Sequence, residues 1–145
     1  MEPKFVTFLR QLAAAPLVLA PLCVLVYDPG VIFPFVTPKA AVFHALVLAS
    51  LAASCLVLLV DSPSRARLKA ILGDGLVVAY LLLVLVICLS CLQAPNPMYA
   101  LLGSAERADG AYMYLTLAHY TLLSSLVMRG PHWRAVLCTL VLAGL

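Results

Sequence analysis

Gly75-Leu76-Val77-Val78-Ala79-Tyr80-Leu81-Leu82-Leu83-Val84-Leu85-Val86-Ile87-Cys88-Leu89-Ser90-Cys91-Leu92 is the most uniformly apolar run in the chain, and no charged residue interrupts it. An α-helix rises ~1.5 Å per residue, so a run of this length comes close to crossing a ~30 Å hydrocarbon core. Asp74 stands where an N-cap belongs, and Gln93-Ala94-Pro95-Asn96-Pro97 breaks the run at its far end. The rest of the chain has the same character. Of its 145 residues, 65% are hydrophobic and 10% charged, with a mean hydropathy of +1.11. Soluble domains are ~45–50% apolar and ~25% charged. A water-soluble fold of this size has too little polar surface for such a composition, and lipid is its natural solvent.

Upstream of this run, 62–72 carries Arg65, Arg67 and Lys69. Ser62 is expected to cap a short basic interfacial helix, Pro63 to open it and Gly73 to stop it. Before that, 39–60 is apolar apart from His44, Ser50 and Ser54, and reads as a span opened by Thr37 as N-cap and Pro38 at the first helical position. Residues 31–36 are too few to cross and are expected to lie along the interface. The first apolar segment, 5–27, contains Pro16 and Pro21, which predict a kink. Lys4 and Arg10 followed by the run Leu12 to Val26 could be a signal peptide. Its length, its two prolines and the poor cleavage sequence Ala20-Pro21-Leu22 instead favour a retained first helix.

Downstream lies a polar island, Leu101-Leu102-Gly103-Ser104-Ala105-Glu106-Arg107-Ala108-Asp109-Gly110. The next span is 111–128, with Asp109 expected as its cap. A turn at 129–134 carries Arg129 and Arg134. A final apolar run, 135–145, is too short to cross, since a helix needs ~20 residues to do so, and truncation of a longer protein is the favoured reading. The expected fold is therefore all-α, a polytopic transmembrane bundle of four full spans and a truncated fifth within a single region.

Lysine and arginine sort the ends of these segments. With the amino terminus in the cytoplasm, Lys4, Arg10, Arg65, Arg67, Lys69, Arg129 and Arg134 lie inside and only Lys39 and Arg107 outside. This orientation puts the island on the non-cytoplasmic side. The net charge of +3 and the absence of a basic face interleaved with aromatics argue against nucleic-acid binding.

The two outer cations, Lys39 and Arg107, are candidates for holding an anionic group. The alternative is snorkelling, or ion pairing with Asp28, Glu106 or Asp109. Arginine suits phosphate through its planar fork of donors. In segment four, Tyr112, Thr116, Tyr120 and Ser124 share one stripe at i, i+4 spacing, flanked by His119 and Thr121. Such a stripe is either glue between helices or the wall of a polar cavity. His44 and His119 are ionisable groups inside membrane segments, with no partner at ligand spacing. Cys88 and Cys91 form a C-x-x-C, but it lies in the apolar run, where a thiolate is disfavoured, and no second pair completes a metal site. No serine nucleophile elbow, carboxylate pair or phosphate loop is present, and no cofactor or metal is expected.

The order of features resembles the amino-terminal third of the bacterial O-antigen ligase and polymerase-like family. Pro34-Phe35-Val36-Thr37-Pro38-Lys39 opens a helix and a basic loop follows. Then come Asn96-Pro97, the stretch Gly103-Ser104-Ala105-Glu106-Arg107-Ala108-Asp109-Gly110 leading into Tyr114-Leu115, and a turn with Arg129, Trp133 and Arg134. The resemblance covers about residues 30–134. It implies a bacterial inner-membrane protein that moves a glycan from a polyprenyl-diphosphate carrier on the periplasmic face, with no nucleotide sugar and no required metal. Arg107 and Lys39 would contact the carrier diphosphate, supported by Glu106, Asp109, Tyr112 and His119. In that family the essential arginine and histidine lie on a large periplasmic loop well downstream, so these residues are not expected to catalyse transfer alone. A different class of function, a small non-catalytic membrane protein that scaffolds or binds a partner, fits the same composition.

Overall fold

In the computed structural model the described residues are 3–104 and 109–144. All regular structure among them is helical: α1 (Pro3–Leu19) running into a 3₁₀ segment (Ala20–Leu25), α2 (Thr37–Val60), α3 (Ser62–Leu72), α4 (Gly75–Leu92), α5 (Pro97–Leu102), α6 (Ala111–Val127) and α7 (Gly130–Gly144). Three helical stretches are long and apolar enough to cross a membrane: Lys4–Leu25, Thr37–Val60 and Gly75–Leu92. They mark the chain as a helical membrane protein. α6 is 17 residues long and α7 is 15.

Local chemistry explains most boundaries. Pro16 is accommodated within α1, and the backbone tightens to 3₁₀ geometry where Pro21 removes a donor. Asp74 caps α4 as expected, its Oδ1 accepting from Leu76 and Val77. Gly73 ends α3. Several expectations shift. Val36, not Thr37, occupies the N-cap of α2, so Thr37 is already helical. Asp61, not Ser62, caps α3, because its carboxylate reaches the Ser64 amide at 3.0 Å. Gly110, not Asp109, precedes α6, with no side-chain cap. The turn expected at 129–134 is mostly helix, since α7 begins at Gly130. α5 was not anticipated. Asn96 nucleates it by accepting from the Tyr99 amide at 3.1 Å, with Pro97 opening the helix.

α1 and α2 make the most extensive pairing, with α6 and α7 laid against them. The buried residues of α2 (Phe43, Val47, Ser50, Ala53, Ser54 and Val57) lie at helical spacing and form one seam. Opposite them α1 presents Ala13, Ala14 and Leu17, each at most 1% exposed. Small residues let the two backbones approach closely, as membrane helix pairs require. The Ser50 hydroxyl donates across this seam to the Ala13 carbonyl at 2.7 Å. α4 differs: Val84 is its one buried residue, and it packs against α6, α5 and α3 rather than the α1–α2 pair.

Gly103 and Gly110 close the neck of the island. Gly103 adopts φ 77°, and a Cβ on either glycine would run into backbone atoms of the other. Glu106 and Arg107 lie outside the described residues.

Candidate functional site

The segment before α2 folds into tight turns. The Gly30 amide donates to the Asp28 carboxylate at 2.8 Å, the Asp28 amide to the Pro34 carbonyl at 3.3 Å, and the Thr37 amide to the Phe33 carbonyl at 3.2 Å. These bonds bring the Phe35 ring within 5.0 Å of Tyr27, centroid to centroid, and set it beside the first turn of α2. There the Lys39 ammonium lies 5.9 Å from the Phe35 ring centroid, in reach of a cation–π attraction. Lys39 lines a cleft of about 520 Å³ between the 3₁₀ segment, α2 and α6. The walls are Cys23, Phe35, Phe43, Met113 and Leu117. Among the described residues of this lining, Lys39 is the charged one. A mostly apolar cleft with one cation in its lining offers surface for an apolar chain and a charge for an anionic group.

One turn further along α2, His44 meets α6. Its Nδ1 lies 2.8 Å from the Thr116 hydroxyl, and the Tyr112 ring stacks tilted on the imidazole at 4.4 Å. The Thr116 hydroxyl donates to the Tyr112 carbonyl at 2.9 Å. A hydroxyl has one proton, so Thr116 accepts from His44, and Nδ1 carries the imidazole hydrogen. The polar stripe of segment four therefore faces inward: Thr116 and Ser124 are buried, and the Tyr120 hydroxyl reaches the Leu17 carbonyl at 3.4 Å. Through Thr116 and Tyr120 it joins α6 to α2 and α1, as polar contacts between membrane helices do.

The other candidates are not gathered at the Lys39 cleft. Asp109 is exposed and lines a separate shallow cleft against α4 and α5, with Ser90, Cys91 and Tyr114. His119 bonds within its own helix, its Nδ1 donating to the Leu115 carbonyl at 2.9 Å. The Cys91 thiol has one proton to share between the Ile87 carbonyl of its own helix at 3.3 Å and the Ala100 carbonyl of α5 at 3.5 Å. Tyr112 is near the cleft through His44. Sequence reasoning missed the His44–Thr116 pair, whose partners are 72 residues apart. The available signal was that both are polar positions in apolar helices.

The opposite end of the bundle holds a second polar cluster, also unforeseen. Arg10 reaches from α1 to form an ion pair with Asp61 at the end of α2, and its guanidinium also approaches the Ser64 hydroxyl at 3.3 Å. Asp61 accepts from the Ser64 hydroxyl as well. Burial on its own raises the Asp61 pKa. The Ser64 hydroxyl and the Arg10 guanidinium outweigh it and hold the carboxyl below its ordinary value. Arg67 extends from α3 toward the Met128 carbonyl at 3.4 Å, and Arg129 follows at the α6–α7 junction.

Compared with models of known protein families, with curated proteins and with solved structures, the chain shows no match.

Proposed function

We propose that this protein holds a polyprenyl-diphosphate-linked glycan at the bundle end bearing Lys39, as a component of O-antigen ligase-like glycan transfer in the bacterial inner membrane. The observation that carries the reading is the apolar cleft of about 520 Å³ with Lys39 as the charged residue of its lining. A prenyl chain is apolar and flexible, and the aromatic and aliphatic walls accommodate it. The diphosphate is a dense anion, and an ammonium at the lipid–water boundary offers up to three donors to it. Arg107, on the island that enters α6, is the second cation in this reading. Glu106 and Asp109 orient or neutralise it. The residues of this chain hold the carrier, and the transfer chemistry is supplied by other groups.

The orientation follows from the positive-inside bias, with the amino terminus cytoplasmic and the Lys39 end periplasmic. In this reading α6 is a fourth span, its 17 residues at the lower limit of the ~17–25 a crossing helix uses, and α7 is part of a fifth.

The test is binding of polyprenyl-diphosphate-linked glycan to the full chain in lipid nanodiscs. Lys39→Ala is expected to weaken binding about tenfold, the scale of one lost charge-assisted contact, while Lys39→Arg retains it. Equal affinity in Lys39→Ala and the parent protein would reject the site.

A second reading, a non-catalytic scaffold that docks partner helices, is favoured by one feature. α4 leaves large apolar residues such as Leu76, Leu82, Leu83, Val86 and Leu89 outward, all at least 55% exposed except Leu89 at 51%. Full carrier binding by the isolated chain speaks for the first reading. Absence of carrier binding together with a stable hetero-complex through α4 speaks for the second.

A further inference from the structure

The arginine-rich end of the bundle contains a partly open cavity of about 60 Å³ between α1, α2, α3 and the α6–α7 junction, lined by Arg10, Ser64, Arg67 and Arg129 together with apolar side chains of α2, α3 and α6, and Arg67 and Arg129 keep exposed surface there. This volume is about that of two waters at ~30 Å³ each. A single tetrahedral oxyanion, such as the phosphate of a larger molecule, is of that scale. The charge within it is unbalanced. Asp61 is the carboxylate at this cluster, and it is engaged by Arg10 and by both the amide and the hydroxyl of Ser64. Among the described residues, the Arg10–Asp61 pair is the ion pair of this end, and Arg67 and Arg129 have no carboxylate partner. Arg67 is tethered only to a backbone carbonyl, that of Met128. Two guanidinium groups therefore border a small cavity with two positive charges that the cluster does not neutralise. Like charges that share one cavity repel, and an anion between them lessens the repulsion.

We propose that this cavity binds a phosphate group, and that the phosphate belongs to an anionic lipid headgroup. Guanidinium suits phosphate because its fork of N–H donors matches two phosphate oxygens at once. The lipid source follows from position. α2 ends one residue before Asp61, and α6 ends one residue before Met128, so the cavity sits where two apolar helices reach the lipid–water boundary. The short basic helix α3 forms its outer wall. Basic pockets between membrane helices at that depth are suited to acidic headgroups. The site is at the opposite end of the bundle from Lys39, and it stands whether or not that end binds a glycan carrier.

The test uses the full chain in nanodiscs of phosphatidylcholine, with or without about one-fifth phosphatidylglycerol, and reads retained lipid by native mass spectrometry beside the melting temperature. The parent protein is expected to retain phosphatidylglycerol preferentially and to melt higher in its presence. The double variant Arg67→Gln/Arg129→Gln is expected to lose that preference about tenfold while keeping its helicity and its melting point in pure phosphatidylcholine. Arg65→Gln/Arg134→Gln removes the same charge from arginines outside the cavity and is expected to behave as the parent. An equal loss in that control means general attraction to an acidic surface and overturns the site. No headgroup preference in the parent also overturns it. Inorganic phosphate, matched against chloride at equal ionic strength, separates the sources. Protection by inorganic phosphate as strong as that by phosphatidylglycerol upholds the phosphate cavity and overturns its assignment to lipid.

Discussion

Asp61 does two things at one position. It caps α3 through the Ser64 amide and compensates Arg10 from α1, tying the first helix to the hinge between the second and third. Its carboxyl titrates below its ordinary value, so the stability it contributes is fully present above the unfolded-state pKa of ~3.9 and is lost as pH falls through the lower folded value. Thermal melting in detergent is expected to be insensitive to this group from pH 7 to about 5 and to drop below about pH 4. Asp61→Asn retains a capping side chain but leaves Arg10 without its charge partner. It is expected to lower stability at pH 7 by about 2 kcal/mol and to flatten the acid limb of the profile. An unchanged acid limb in Asp61→Asn would show that other carboxylates produce it.

Residue by residue, the sequence was informative where chemistry is local. Asp74 and Gly73 do what their types and positions imply, because a cap needs only the next few residues. Asp109 fails as a cap because Gly103 and Gly110 lie against each other, and Gly110 takes the position before α6. Long-range partners were not legible. His44 and Thr116 each appear as isolated polar residues, and nothing in their spacing shows that two helices bring them to 2.8 Å.

At the scale of elements, the α1–α2 seam is the most testable contact. Ala13 is fully buried and its carbonyl receives the Ser50 hydroxyl at 2.7 Å, so the helices have no room for a larger side chain there. Ala13→Leu is expected to destabilise the bundle by ~1–3 kcal/mol through overpacking, measured by denaturation in mixed micelles. Ala15→Leu, on the exposed face of the same helix, is expected to be close to neutral. Equal effects of the two would show that α1 does not dock through the Ala13 face. The inward stripe of α6 belongs to this scale as well. Its i, i+4 spacing was visible in sequence, but its use in joining helices depends on which helices lie opposite.

For the whole molecule, the helix order places Arg10, Asp61, Arg67 and Arg129 at one end and Lys39 at the other. The positive-inside bias then gives a direct expectation. A reporter fused after Met98 is expected to be active only outside the cytoplasm, and one fused after Ala66 only inside. A cytoplasmic reporter at Met98 would reverse the orientation and move the Lys39 cleft to the other leaflet.

The sequence alone determined that the chain is helical and membrane-embedded, because hydrocarbon solvates only apolar side chains and the helix satisfies every backbone polar group within itself. It also placed three of the expected spans, Lys4–Leu25, Thr37–Val60 and Gly75–Leu92, since each stretch is long and apolar enough to cross. The tertiary structure alone decided which polar groups meet. His44 with Thr116, Arg10 with Asp61, and Arg67 beside Arg129 are pairings between helices distant in the chain. Hydropathy describes how each helix faces lipid, and it carries no information on which helix stands beside which. That choice depends on the shape of small-residue seams such as Ala13 against Ser50, which exist only once the helices are packed.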